Sequence, residues 1–571
     1  MITQYLLIIP NPNRYNFTNI HSSRSNYPKK SLHNFYSKIF SCPRGKNIRK
    51  MSVPRLLLLV ASLLIIYNEC TSALRILAIY PFPGKSHSIG AEHLLEEMTR
   101  RGHTIDVVSH FPRKNPIPNY RDISLRGLLP MFANNVTYDR IKGYNFIHPR
   151  EFVQLAGVSV CELLGEPVLQ ELMETPKGTY DVILVHLFAA HCYIGFGNKL
   201  NAPVVGMVTS KFQDWLFEPF ANPLNPSYMP SFFSTFTQHM TFWERLENTL
   251  ITDNTRLQFR YWLETESLQV EKYFGRKISS LHELYDDVSL ILVNQHFSTN
   301  EIKPSTPDII DIGGLHVYNN TQQLTPELQD WLDRSTEGCV SFTLGSNVVI
   351  ESFPEELLKV FYQSFESIAP VRVLMKGDPR AHLKDLPTNV MIFPWIPQVA
   401  VLKHKNVRAF ITHGGLLGTQ EAIAHRVPMI GIPLFGDQHT NMRNYEKRGI
   451  AVVLDLKTLN KDSLTAAITT VLEDPTYREN IGRISDLFWD RPMSPLDTAI
   501  YWMEYAARRG PVLKSPATQL SWWKLHLLDV YSFILICILT TVYTITRVVT
   551  LLWKWASGIN SKNVSNAKKN K

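Results

Sequence analysis

The chain has 571 residues, too many for one compact core, so its length predicts two main domains and additional segments. Its net charge of +9 arises in residues 1–50, which hold nine Lys and Arg and no Asp or Glu. Basic and acidic side chains balance in the rest of the chain. A neutral body excludes nucleic-acid binding as the main function.

The segment after this basic leader has the three parts of a secretory signal peptide. Within residues 51–73, a positive Arg55 precedes an apolar run at residues 56–66, and small residues follow at 70–73. We therefore predict a signal peptide over residues 51–73, with residues 1–50 as an upstream extension or an alternative start. A mitochondrial leader is the alternative for those first residues, because they are basic and acid-free.

Near the other end, an uncharged and mostly apolar run predicts a membrane-spanning helix over residues 528–553. Tyr531 and Trp553 stand near its ends, where aromatic residues meet the membrane surface. A buried amphipathic helix is the alternative reading, but the run shows no polar face. Arg547 lies near enough to the helix end for its charge to reach water.

The remaining residues 554–571 are rich in lysine and predict a tail on the cytosolic side. Lys568 and Lys569 resemble the dilysine signal of proteins retrieved to the endoplasmic reticulum, and a solvated basic tail is the alternative. The predicted topology is a lumenal body on one C-terminal anchor, with glycan acceptor sequences at Asn135 and Asn319. The cysteines include no Cys-x-x-Cys pair, which excludes a zinc ribbon and a disulfide scaffold.

Strand-like and helix-like runs alternate twice along the body. The first set lies in residues 74–298 and the second in residues 316–524, with a linker predicted at residues 299–315 because of its Pro, Ser, Thr and Asp content. Two such sets predict an α/β fold of two doubly wound, Rossmann-like domains that face a cleft. The predicted strands are residues 74–80, 104–109, 182–185, 204–208, 290–293, 339–344, 371–376, 390–393, 408–412 and 429–432, and a helix is predicted at 91–101.

An irregular region rich in aromatic residues lies between the strands at 204–208 and 290–293. It contains Phe212, Trp215, Phe217, Phe232, Phe233 and Trp243. Such a region is either a pocket for an apolar ligand or part of an ordinary core, and core is the more common role of these residue types.

Polar groups after the strands of the second set have the chemistry of a nucleotide-diphosphate site. Gly345 and Ser346 follow one strand, and His413 and Gly415 follow another and precede a helix whose N-terminus suits a diphosphate. We assign Gly418 in that helix to the same site. Taken singly, each has an ordinary explanation as a tight turn or a structural histidine.

Five further residues complete this predicted donor site. Glu421 lies where it could reach a ribose diol, with a solvated helix face as the alternative. Trp395 can stack on a base while Gln398 binds its edge. Asp437 and Gln438 offer a carboxylate and an amide for sugar hydroxyls. Their occurrence together and in order favours binding over the ordinary explanations.

Residues 395–438 resemble the signature of the UDP-glycosyltransferases, and Leu416, Leu417 and the membrane tail are most similar to the insect branch. The resemblance implies the GT-B fold, with an N-terminal acceptor domain and a C-terminal UDP-sugar domain. It also implies transfer with inversion, without a metal or other cofactor, usually from UDP-glucose to small lipophilic acceptors, as in detoxification. Leu417 replaces a common Asn and Arg426 a common Gly, and the first change removes a side-chain contact to phosphate.

The resemblance also assigns a catalytic base. The spacing of His87 from Arg101-Gly102-His103 matches the family's catalytic histidine, which takes a proton from the acceptor hydroxyl. Family members orient that histidine with a carboxylate, but this chain has His186 and His191 where the acid is expected. We predict that these two histidines take its place. A protein that binds UDP-sugar and a lipophile without efficient catalysis is the alternative.

Overall fold

The computed structural model describes residues 73–132, 134–143, 149–381 and 386–569. The predicted leader, and the predicted signal peptide apart from Ala73, lie outside these ranges. Within them the two predicted sheets are present. Each is built of parallel strands, and most strands are buried on both faces, as their continuous apolar runs require.

Sheet 1 has seven strands in the order β3-β2-β1-β4-β5-β6-β7. Its strands are β1 Arg75–Tyr80, β2 Thr104–Ser109, β3 Tyr120–Ser124, β4 Val182–His186, β5 Val204–Val208, β6 Val288–Val293 and β7 Ile309–Asp311. The last strand corrects one expectation, because β7 pairs with β6 inside the segment predicted as a linker. Its short run Ile-Ile-Asp has too few apolar residues to be recognised as a strand from composition.

Sheet 2 has six strands in the order β10-β9-β8-β11-β12-β13. Its strands are β8 Cys339–Thr343, β9 Arg372–Lys376, β10 Val390–Phe393, β11 Val407–Thr412, β12 Met429–Gly431 and β13 Ala451–Val453. In both sheets the order reverses once, between β1 and β4 and between β8 and β11. Ligands of doubly wound sheets bind beyond the strand ends at such reversals.

Helices cover both faces of the sheets. Those up to residue 274 are α1 Lys85–Arg100, α2 Tyr138–Gly143, α3 Pro149–Val153, α4 Ser159–Cys161, α5 Pro167–Met173, α6 Phe196–Leu200, α7 Phe242–Leu263 and α8 Ser267–Phe274. Those around sheet 2 are α9 Pro326–Asp333, α10 Glu355–Ser367, α11 Gln398–Lys403, α12 Leu416–Ala424, α13 Gln438–Lys447, α14 Lys461–Glu473 and α15 Pro475–Trp489. The C-terminal helices are α16 Pro495–Arg509, α17 Trp522–Leu525 and α18 Leu528–Lys569.

Helix α1 begins six residues before the helix predicted at residues 91–101. Gly84 precedes it in an extended conformation, and Leu94, Leu95 and Met98 form its buried stripe. The apolar stripe alone predicts only the second half of the helix, since the first turn is polar. His87 therefore lies in the first turn of a helix and not in a loop.

Helix α16 carries the chain back to sheet 1. Leu496, Ile500 and Met503 pack in the same apolar cluster as Ile76 and Leu184 of that sheet. The last part of residues 316–524 thus returns to the first sheet. The helix before the anchor is packed on the first sheet.

Helix α18 contains the predicted membrane span. Its part Leu528–Gly558 is long and apolar enough to cross a membrane. The helix continues to Lys569, into the segment predicted as a cytosolic tail.

Candidate functional site

A cavity of about 420 Å³ is lined by loops and helix ends that follow strands of both sheets. All ten residues predicted for the donor site line it: Gly345, Ser346, Trp395, Gln398, His413, Gly415, Gly418, Glu421, Asp437 and Gln438. His87, predicted as the base, lines the same cavity from sheet 1. The structure therefore brings together two sets of residues that are far apart in the sequence.

Two glycines make room for the His413 ring after β11. A Cβ atom on Gly345 would lie 2.6 Å from His413 Nε2, and one on Gly415 would lie 2.8 Å from its Cε1. Gly345 also has a φ of +88°, which disfavours any other residue. Burial lowers the pKa of His413 to about 4, with a smaller contribution from Lys376. The ring is neutral at pH 7, so it offers a neutral N–H rather than the charge-assisted bond that its type first suggests.

Glu421 on α12 is almost fully buried and is held by two side chains. Gln398 Nε2 donates to Glu421 Oε2 at 2.6 Å, and His316 Nε2 lies 3.4 Å from Oε1. Gly418 allows the first contact, because a Cβ atom there would be 2.9 Å from Gln398 Nε2. A carboxylate fixed in this way can accept hydrogen bonds from a ribose diol. The Gln398 amide, predicted at the edge of a base, lies instead on this carboxylate.

Asp437 and Gln438 stand at the start of α13 with distinct free groups. Gln438 Oε1 accepts from the backbone N–H groups of Leu434 and Phe435, at 2.9 and 3.0 Å, so its amide nitrogen is the group left for a ligand. Asn441 donates to Asp437 Oδ2 at 3.0 Å, which leaves Oδ1 as an acceptor. The pair thus presents one donor and one acceptor, as sugar hydroxyls require.

Trp395 and Ser346 also line the cavity. Trp395 is 51% exposed, which leaves much of its indole surface open to stacking. Ser346 Oγ donates to Asn347 Oδ1 at 3.1 Å, and its carbonyl accepts from Asn134 N–H at 2.9 Å. That second bond joins the loop after β8 to a segment of the first sequence half.

Lys376, the last residue of β9, is a cavity residue that the sequence did not single out. Its Nζ donates to Gly345 O at 3.1 Å and to Asn134 Oδ1 at 3.2 Å. Burial lowers its pKa. A partly desolvated ammonium group beside Gly345 and His413 suits a diphosphate. Its strand was predicted, but a lysine at a strand end is too common to signal a site.

Aromatic side chains form the wall around His87. They are Phe82, Phe132, Phe152, Phe188, Phe232 and Phe233. Ring centroids of Phe188 and Phe82 lie 4.4 and 5.0 Å from that of His87. The aromatic region thus divides: Phe232 and Phe233 line the cavity, Phe212, Trp215 and Phe217 belong to the core, and Trp243 is 73% exposed.

His87 is held by two side chains at the same ring nitrogen. Its Nδ1 lies 2.8 Å from Thr209 Oγ1 and 3.2 Å from His186 Nε2. Burial lowers the pKa of His87 to about 4. Among the residues that the structure describes, no carboxylate contacts this ring. His87 is therefore neutral at pH 7 and a weak base, with Nε2 as the nitrogen available to an acceptor.

The assignment of His191 to the catalytic group is wrong. Its side chain is fully buried and does not line the cavity, and its Nδ1 lies 2.5 Å from Tyr285 Oη. Its backbone N–H donates to Glu266 Oε2 at 2.7 Å. The helical turn His191–Gly195 that follows β4 directs this side chain into the core.

A disulfide bond joins Cys161 on α4 to Cys192, the residue after His191. The pairing was not predicted, because the positions of Cys161, Cys192 and Cys339 in the predicted lumenal body do not indicate which two meet. One such bond does not make a disulfide scaffold, and that exclusion is unaffected.

Comparisons with known proteins agree with this geometry. The family model described as "UDP-glucoronosyl and UDP-glucosyl transferase" matches residues 131–563. UDP-glucosyltransferase 2 of Dactylopius coccus is 36% identical over 490 residues, which cover 84% of this chain and 93% of the relative. UDP-glucuronosyltransferase 2B7 of Homo sapiens is 29% identical over 498 residues, which cover 82% of this chain and 92% of that one.

A solved structure confirms the fold. Spinosyn forosaminyltransferase SpnP has a TM-score of 0.52 and 17% identity, and the match covers 77% of this chain and 100% of that one. The predicted GT-B architecture of two Rossmann-like domains is thus confirmed, with one C-terminal apolar helix.

Proposed function

Because the chain belongs to the family of UDP-glucuronosyl and UDP-glucosyl transferases, we propose that it transfers glucose from UDP-glucose to small lipophilic acceptors. The acceptor hydroxyl loses its proton to His87, its oxygen attacks the anomeric carbon, and the bond from that carbon to UDP breaks. Attack from the side opposite to UDP inverts the anomeric centre. No metal or other cofactor takes part.

One observation carries this proposal: His87 and the ten donor residues line a single cavity. A base must lie within reach of the hydroxyl that attacks the donor sugar, and a shared cavity makes that possible. The donor side supplies the N-terminus of α12 and Lys376 for the charge of the leaving UDP. The phenylalanines around His87 supply an apolar surface for the acceptor.

Glucose is proposed as the sugar on two grounds. The signature resembles the insect branch, and the relative from Dactylopius coccus named UDP-glucosyltransferase 2 is more similar than the human glucuronosyltransferase, at 36% against 29% identity. Asp437 at the sugar end also favours a neutral hexose, since a second carboxylate on the sugar would meet a like charge unless one of the two is protonated.

We also propose a membrane-anchored, lumenal enzyme of the endoplasmic reticulum. The apolar helix Leu528–Gly558 supports the anchor, and the lysine-rich sequence after it supports a cytosolic tail. Detoxification of lipophilic compounds is the physiological role that fits an apolar acceptor wall at a membrane.

A binding protein with little catalysis is the second candidate. It is favoured by the absence of a carboxylate in contact with His87 among the described residues. A histidine with a pKa of about 4 is a poor proton acceptor at pH 7, so it contributes little as a general base.

The test is UDP release from UDP-glucose by membranes that contain the full chain, with a panel of phenols as acceptors. The enzyme reading predicts release that depends on the acceptor. UDP-glucuronate in parallel reactions tests the sugar, and faster turnover with it would contradict the choice of glucose. If no phenol in a broad panel increases release with either donor, the second candidate holds.

A further inference from the structure

Three side chains from three neighbouring parts of sheet 1 meet behind the proposed base. His87 follows β1, His186 ends β4 and Thr209 follows β5. Thr209 Oγ1 lies 2.8 Å from His87 Nδ1 and 3.3 Å from His186 Nε2. His186 Nε2 lies 3.2 Å from His87 Nδ1, so the hydroxyl is the closer partner of the base.

Thr209 and His186 are both fixed in place. Thr209 is 4% exposed, and its carbonyl accepts from Asn294 Nδ2 at 3.0 Å. His186 is 2% exposed and stacks on the Tyr80 ring, with centroids 5.6 Å apart. A hydroxyl held from both sides has little freedom to turn away from the base.

The hydrogen atoms have one arrangement that suits a base. For Nε2 of neutral His87 to accept a proton, its hydrogen must be on Nδ1, which then donates to Thr209 Oγ1. Thr209 in turn donates its hydroxyl hydrogen to His186 Nε2, so His186 carries its own hydrogen on Nδ1. Each contact of the three then has one donor and one acceptor.

We propose that Thr209 is the positioning residue of this reaction: its hydroxyl, oriented by His186, holds His87 in the tautomer with a free Nε2. The inference rests on the proposed transferase function. The Thr209 hydroxyl takes the place of the carboxylate that the family resemblance implies. A chain of neutral groups fixes the tautomer but adds no negative charge to stabilise the protonated base. Catalysis should therefore depend on how readily the acceptor hydroxyl gives up its proton.

The experiment compares Thr209→Val, which removes the hydroxyl at nearly constant shape, with Thr209→Ser, which keeps it. Both are assayed in membranes with UDP-glucose and two acceptors: a nitrophenol largely ionised at the assay pH, and an alkylphenol that is not. Thr252→Val is the control, because that buried hydroxyl bonds only within α7, to Asn248 O.

We expect Thr209→Val to lower kcat for the alkylphenol by about 30-fold, within the range of general-base effects, and for the nitrophenol by less than about 3-fold. KM for UDP-glucose should stay unchanged, and Thr209→Ser should retain most of the activity. Equal losses with both phenols would show a merely structural role, and no loss, or a serine variant as slow as the valine one, would also overturn the proposal. An inactive wild-type chain would instead remove the transferase function itself, and the positioning role with it.

Discussion

His413 and His87 each lie where the strand order of a sheet reverses, yet they are held in different ways. His413 is surrounded by glycines, and its position depends on backbone geometry at Gly345 and Gly415. His87 is held by the side chains of Thr209 and His186. The donor half of the cavity, which follows sheet 2, therefore fixes His413 by backbone geometry. The acceptor half, which follows sheet 1, fixes His87 by side chains that a single substitution can change.

Among changes in the donor half, a substitution of Glu421 should weaken UDP-glucose binding most. Glu421→Ala removes the carboxylate proposed to bind the ribose diol, and two bonds to a charged group, each worth about 1.5 kcal/mol, correspond to about 100-fold weaker UDP-glucose binding. Equilibrium binding of UDP-glucose measures it. Glu446→Ala is the control, because Glu446 forms a surface ion pair with Arg443. A similar loss in both variants would contradict the assigned role.

Backbone control of His413 can be tested at Gly345. Gly345→Ala places a methyl group against the His413 ring and strains a φ of +88°, so we expect KM for UDP-glucose to rise by about 10-fold. Gly178→Ala is the matched control, since Gly178 has a φ of +78° and no atom within 4 Å of the added carbon. The control should lose stability but not donor affinity. An unchanged KM in Gly345→Ala would refute this dependence.

Side-chain control of His87 can be sharpened at His186. His186→Asp adds a carboxylate beside the base, which should raise the pKa of His87 from about 4 by about 1–3 units and increase kcat for an alkylphenol by about fivefold. Because the neutral ring is the active form, the acidic limb of the pH profile should move to higher pH.

His191→Asp is the contrast to this substitution. Its position is fully buried beside Tyr285, so the variant should gain no rate and should lower the thermal midpoint. A higher kcat in His191→Asp, or an unchanged pH profile in His186→Asp, would show that His186 is not the histidine that acts on the base His87.

The smallest effect is expected behind the acceptor wall, at Glu266. Burial raises the pKa of this carboxyl from 4.5 to about 8, so the folded chain holds the carboxyl proton more tightly than the unfolded chain. Stability therefore falls as pH rises from 4.5 towards 8. Glu266→Gln should therefore raise the thermal midpoint by about 2–4 °C at pH 9 and leave it unchanged at pH 4, where the carboxyl is protonated in both the folded and the unfolded chain. An equal shift at both pH values would contradict this explanation.

The same contrast explains how much the sequence predicts. The ten residues predicted to bind the donor fall in few continuous segments. Apolar parallel strands place them at one edge of a sheet, so their meeting in one cavity follows from the sequence. The short edge strands β3 and β7 were missed because they lack long apolar runs, and β13 was missed although it lies in the apolar run at residues 450–454.

The acceptor half was predicted less completely. His186 and His191 are close in sequence, and only the helical turn after β4 separates their roles. Thr209 is an ordinary residue after β5, and only its contacts with His87, after β1, and with His186, at the end of β4, indicate a role. Side-chain contacts between distant segments depend on tertiary packing, so a single sequence does not predict them.

We propose that the loops after sheet 2 bind the donor while His87 acts on the acceptor. The most direct test measures UDP-glucose affinity and acceptor-dependent UDP release side by side in the wild type and in His87→Ala. We predict unchanged UDP-glucose affinity and a release rate lower by about 100-fold or more. Equal release in the two proteins, or affinity lost together with release, would contradict it.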